Sequence, residues 1–154
     1  MDGLIVTGIR CRRSFDDIIE HFQGLGGSAI LLNPDRVCGR DHIISAAMHA
    51  ERAFANGTNR SKTMLTETIL YAAGERQISK ALEKMRPEDG REDIAAVVFG
   101  IADLQLDIIG AAADDSILSG TEEKAKRLGL DTSFGIPAED LALEMVASVD
   151  IRKQ

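Results

Sequence analysis

Two kinds of apolar pattern alternate along this chain. Short continuous runs mark strands, and stripes at helical spacing mark helices. Leu4–Ile9 is short, apolar and β-branched, and predicts a first strand. Ser14 then offers a helix N-cap, with Asp16 and Asp17 in the first turn, and the helix runs to about Phe22. Gly24, Gly26 and Gly27 break it, and Ala29–Leu32 reads as a second strand ended by Asn33, Pro34 and Asp35. Asp41 caps a helix to about Ala55, whose stripe is Ile43, Ala46, Ala47, Ala50, Ala53 and Phe54. Asn56 and Gly57 end it. A further helix starts at Asn59 or Ser61 and stops at Gly74, and another reaches Met85 before Pro87. Ile94–Phe99 is continuously apolar and predicts a central strand.

Beyond Gly100 the pattern weakens. Asp103–Ile109 suits a short helix or an edge strand, and Ala111–Asp115 a loop. Ser119 with Glu122 forms a capping-box pattern for a helix to about Leu128. A last helix follows Pro137, with Leu141, Met145 and Val149 in one stripe that Ala138, Ala142 and Val146 widen. Helices outnumber strands and the strands are unevenly separated. The expectation is one α+β domain over residues 1–154, with a small mixed sheet packed by several helices.

Composition narrows the function. The chain has 154 residues, enough to bury a core without staples. It carries a formal net charge of −7, which argues against nonspecific nucleic-acid binding over the whole surface, so any RNA contact is local. Two basic groups offer one: Arg10, Arg12 and Arg13, and the set Arg60, Lys62, Arg76 and Lys80. The two cysteines, Cys11 and Cys38, make no disulfide framework. With no signal peptide and no apolar run long enough to span a membrane, a cytoplasmic protein with reduced thiols is expected.

Candidate chemistry is sparse. His42 and His49 share a helix face but lie two turns apart, too far to ligate one ion, so no metal is expected. Cys11 lies among arginines yet has no base or orienting partner, and Cys38 suits a small buried hydrophobe. GLGGSAI precedes a strand and does not open a helix, which argues against a dinucleotide loop. Glu67 falls near a buried stripe. It reads either as a catalytic acid or as a carboxylate paired with Arg76 or a backbone N–H. No nucleophile–base set, P-loop or kinase signature emerges, and no cofactor is implied.

The densest signal is TETILYAAGERQISKAL, Thr66–Leu82. Gly74 ends one helix, and Glu75, Arg76 and Gln77 stand at the mouth of the next, where backbone N–H groups are free. Arg76 offers a fork for phosphate and a flat face for a base, and Gln77 can read a base edge. Ile78 adds apolar contact, Lys62 a point charge, and Tyr71 support from beneath. The competing role for Arg76 is a clamp to Glu67 or Glu75 that fixes the turn.

HIISAAMHAERAFANG at His42–Gly57, NRSKTMLTETILYAAGERQISKAL at Asn59–Leu82, AILLNPDRVCG at Ala29–Gly39 and the strand near Ile94–Gly100 resemble the small regulatory subunit of the KEOPS complex. This is the PRPK-binding-protein family. The resemblance implies a non-catalytic subunit of the complex that makes threonylcarbamoyladenosine in tRNA. Such a subunit binds and stimulates the complex's small atypical kinase and recruits tRNA by its single-stranded 3′ CCA end. The RNA role falls on Lys62, Arg76, Gln77 and Ile78, which match N-x-x-K and R-Q-I positions of the family, with Arg60 beside them. The kinase contact falls on the final helix, at Leu141, Met145, Val146 and Val149. Ala111–Ser119 departs from the family pattern. Two rival readings remain: a purely protein-binding adaptor of the kinase, and an enzyme built on Glu67, His49 and Cys11, which requires a pocket gathering two of them.

Overall fold

A computed structural model describes residues 3–152. The fold is α+β, with six α-helices and a four-stranded sheet among the described residues. The chain forms two compact units, each built from two segments: Met1–Pro34 with Pro87–Leu118, and Asp35–Arg86 with Ser119–Gln154.

The first unit holds the sheet. Strands β1 (Leu4–Arg10), β2 (Ser28–Leu32), β3 (Asp93–Phe99) and β4 (Ala112–Ala113) lie in the order β2-β3-β1-β4. All three pairings are antiparallel, so the sheet is not the mixed one expected from sequence. The uneven strand spacing hid this, because it does not show which way each connection returns. β3 lies inside the sheet, and Ile94–Val98 are all buried, as its unbroken apolar run requires. Helix α1 (Phe15–Gly24) is capped by Ser14, which accepts from the Asp17 N–H at 3.1 Å. Its Ile18 and Phe22 pack with Ile9, Ala29, Ile94, Ala96 and Val98. Arg91 closes the lower edge, bonding Asp93 at 2.8 Å and the buried Asn33 at 3.0 Å.

Ala111–Asp115 is not a plain loop. Ala112 and Ala113 pair with Arg10 and Ile9 as a short edge strand. Gly8 permits this approach, since a Cβ there would stand 2.1 Å from the Asp114 carbonyl oxygen. Asp103–Ile109 yields only a 3-10 turn at Leu106–Ile109.

The second unit is helical: α2 (Arg40–Asn56), α3 (Met64–Ala73), α4 (Ile78–Met85), α5 (Glu122–Arg127) and α6 (Ala138–Arg152). Ala46, Ala47, Ala50 and Ala53 of α2 are buried and let α3 and α6 come close. Three helix starts differ from expectation. Gly39, not Asp41, stands at the cap of α2, with φ +99° and no side-chain bond. A Cβ there would strike the Glu139 carboxylate, so glycine holds the position. α3 starts at Met64 behind Thr63, not at Asn59 or Ser61. Thr121, not Ser119, caps α5 by accepting from the Lys124 N–H at 3.2 Å.

Candidate nucleic-acid interface

The delayed start of α3 has a cause that builds the site. Glu67 is fully buried, and its carboxylate turns back on the preceding loop. It accepts from the Arg60 N–H at 3.0 Å, the Ser61 N–H at 3.0 Å and the Ser61 hydroxyl at 3.1 Å. These charge-assisted bonds hold residues 59–63 out of the helix. Of the two sequence readings of Glu67, pairing with backbone N–H groups is the one observed. The loop's outward side chains, Arg60 and Lys62, are exposed.

The second piece is the turn between α3 and α4. Gly74 is left-handed at φ +68°, and its N–H closes the end of α3. Gln77 occupies the cap position of α4 but makes no side-chain cap bond, and both Gln77 and Arg76 are exposed. Ile78 is half-buried at the first position of α4. Arg76 makes neither expected clamp. Glu67 bonds the loop, Glu75 meets Lys84 at 3.5 Å, and the Arg76 guanidinium donates to the Arg152 carbonyl at 3.3 Å. A cation at that carbonyl complements the C-terminal end of the α6 dipole.

The last turn of α6 links the two pieces. Asp150 lines an open cleft of about 500 Å³ together with Arg52, Asn56, Asn59 and Arg60. One Asp150 oxygen accepts from the Tyr71 hydroxyl, and the other meets His49 Nδ1 at 3.1 Å. Burial, followed by the bond to Asp150 and its charge, pushes the Tyr71 phenol above its ordinary range. Arg60 and Arg76 therefore converge on the same end of α6, at Asp150 and Arg152. Tyr71, buried, holds this end of α6 from within through Asp150. Arg52, Asn56 and Asp150 belong to the cleft and were missed from sequence. Arg52 and Asn56, four apart on one face of α2, were the available signal.

A second cleft, of about 480 Å³, has mixed charge, with Arg36, Lys80 and Arg127 facing Glu75 and Glu83. Lys84 is structural there. Its ammonium donates to the Ala73 carbonyl at 2.8 Å and the Leu128 carbonyl at 3.0 Å, and burial lowers its pKa.

The candidate acid, histidines and thiols are occupied elsewhere. Of those named for an enzyme, Glu67 bonds the loop and His49 meets Asp150. His42 is fully buried between the Cys38 N–H and the Ala72 carbonyl. Cys11 is buried with its thiol toward the Ile109 carbonyl. Cys38 is buried, and desolvation pushes its thiol up to about 11. Neither cleft is lined by Glu67, His49 or Cys11. Among the described residues no group of three His, Cys, Asp or Glu side chains is placed to hold a metal.

The stripe offered to a partner on α6 also needs correction. Met145, Val146 and Val149 are buried, and Leu141 is half-buried. They form the seam of α6 with α2 and α3. A Cβ on Gly74 would stand 2.5 Å from the Met145 side chain, which shows how closely α6 seats on that turn. An amphipathic helix in a domain this small turns its apolar side to its own core.

The chain matches the family described as kinase binding protein CGI-121 over residues 20–131. It belongs to that family. It is also 26% identical over 156 residues to the regulatory protein Cgi121 of Methanocaldococcus jannaschii, covering 98% of this chain and 100% of that protein. The family match spans both the Glu67-held loop and the Arg76 turn. No helix among the described residues is long and apolar enough to cross a membrane.

Proposed function

We propose that this chain is a non-catalytic, cytoplasmic subunit of the KEOPS complex. It binds and stimulates the complex's small atypical kinase and recruits tRNA by its 3′ CCA end for threonylcarbamoyladenosine modification. Membership of a kinase-binding family supports the first role. One observation carries the second. Arg60, Lys62, Arg76 and Gln77 are exposed on two turns that reach the end of α6, in a chain whose net charge is −7. A local basic site on an acidic protein suits a single-stranded end and repels the duplex body, which other subunits would hold. Arg76 and Lys62 neutralise phosphates with Arg60 beside them, Gln77 reaches a base edge, and Ile78 receives a splayed base.

Arg76→Ala tests the site. Among the described residues its side chain makes an exposed bond to the Arg152 carbonyl, so the melting temperature is expected to stay within about 2 °C of the parent. Binding of tRNA in a gel shift is expected to weaken about tenfold or more, the scale of one charged anchor. Arg76→Lys is expected to restore binding only in part, because the bidentate fork is lost. Unchanged binding by Arg76→Ala would leave the adaptor reading, in which the chain acts on the kinase without touching RNA.

A further inference from the structure

The second cleft of the helical unit takes no part in the site described above. Its lining carries four cations, Arg36, Lys80, Lys84 and Arg127, against two carboxylates, Glu75 and Glu83. That is an excess of two positive charges in a chain whose net charge is −7. Like charges gathered in a cleft repel one another, and a bound anion relieves the repulsion.

The existing partners leave the excess in place. The Lys84 ammonium uses its donors on the Ala73 and Leu128 carbonyls and stands 3.5 Å from Glu75, so it neutralises that carboxylate and two helix ends. Arg36 donates from Nε to the Arg127 carbonyl at 3.2 Å, and among the described residues its outer nitrogens have no partner. Lys80, exposed, has no hydrogen bond or ion pair among the described residues. Arg36 also stands near enough to Lys84 to matter. Burial lowers the Lys84 pKa, Glu75 opposes it, and the charge of Arg36 lowers it further. An uncommitted guanidinium fork and an uncommitted ammonium therefore line one cleft of about 480 Å³, a pair suited to phosphate oxygens.

We infer that this cleft is an oxyanion site for a phosphate-monoester dianion, held by Arg36 and Lys80, and that tRNA supplies it as its 5′-terminal phosphate. The charge excess selects the monoester. A backbone diester carries one negative charge, whereas a terminal monoester carries about −1.5 to −2 at pH 7 and three acceptor oxygens. Glu83, exposed and three positions from Lys80 on the same face of α4, would repel a strand laid along the cleft. Position argues for RNA as the source. Helix α4 carries Ile78 at its start and Lys80, Glu83 and Lys84 along the cleft, and Glu75 is the chain neighbour of Arg76. In tRNA the 5′ phosphate lies at the foot of the single-stranded tail. A 3′ end received at the Arg76 turn brings that phosphate toward the adjoining cleft. The inference rests on the RNA-recruiting reading above.

The test has two arms. A gel shift compares CCA-ended tRNA with and without its 5′ phosphate, on the parent chain, Lys80→Ala and Arg36→Gln, with thermal melts to check the fold. An NMR titration with inorganic phosphate, against chloride at equal ionic strength, follows the Leu128 and Gly129 amides of the lining. Removing the 5′ phosphate is expected to weaken binding to the parent about fivefold, the scale of one solvated ion pair, and to change binding to either variant little. Phosphate alone is expected to shift the parent's amides saturably at about millimolar concentration, and Lys80→Ala is expected to lose that response. Equal binding of both tRNAs by the parent, with the amides still responding to phosphate, would overturn the RNA source and leave a free phosphate ester as the ligand. No response in either arm would overturn the site. No binding of any tRNA by the parent would overturn the recruiting reading, and the phosphate arm would still decide the cleft.

Discussion

Replacing Glu67 with alanine is expected to lower unfolding free energy by about 3 kcal/mol or more, because it strips the partner from three donors at once. The Arg60 and Ser61 N–H groups and the Ser61 hydroxyl would all lose their acceptor in a place water reaches poorly. For a chain of this size the melting temperature is expected to fall by about 10 °C. Hydrogen exchange at the Arg60 and Ser61 amides is expected to accelerate far more than exchange elsewhere in α3. Glu67→Gln keeps one acceptor oxygen but points an NH₂ at donors, so a loss of about 1–2 kcal/mol is expected. Because Glu67 positions Arg60 and Lys62, both variants are expected to weaken tRNA binding beyond what their stability explains. A parent-like melt for Glu67→Ala would contradict the role assigned to the carboxylate.

The second large effect is acid sensitivity at His42. The ring is buried, accepting the Cys38 N–H at Nδ1 and donating from Nε2 to the Ala72 carbonyl, which fixes it as the neutral tautomer. Desolvation lowers its pKa from 6.5 to about 4, against the raising influence of the Ala72 bond. The folded pKa is depressed, so the unfolded chain binds the proton more readily. The stabilisation is present above about pH 6.5 and is lost as pH falls toward 4. From linkage, about 2 kcal/mol is expected to be gone by pH 5 and about 3 kcal/mol by pH 4. Urea unfolding of the parent and of a His42→Gln variant across pH 7 to 4.5 measures this. The variant starts less stable and is expected to show a shallower slope between pH 6.5 and 5. Equal slopes would show that His42 does not drive the transition. Asp93, lowered first by its bond to Arg91, and Glu88, lowered first by its own backbone N–H and then by Arg91, add their own acid losses below that window.

Strands and helices were legible wherever the pattern was local. β3 announced itself by an unbroken apolar run, and the ends of α2 and α3 by Gly57 and Gly74. The start of α3 was not legible, because Ser61 and Asn59 are good caps by type. Only the buried reach of Glu67 back to the loop shows why Thr63 caps instead. β4 was invisible because two alanines carry no pattern, and its pairing depends on the missing side chain of Gly8, a hundred positions away. The stripe on α6 was read correctly as apolar, but sequence cannot show which neighbour covers it. The structure seats it on Gly74 and α2.

The site was half legible. Arg76 and Gln77 stood out because a plain connecting turn does not need them. Arg60 and Lys62 stood out as charges in an acidic chain. Asp150 did not, since its partners Tyr71 and His49 lie on two other helices, far away in sequence.

The most direct measurement is a gel shift of the purified chain with intact tRNA and with the same tRNA lacking its CCA end, at low and moderate salt. Binding that requires the CCA end and persists at moderate salt is the predicted result. Equal binding to both RNAs, fading together as salt rises, would reduce the basic turns to nonspecific charge. No binding to either would contradict the proposed recruiting role.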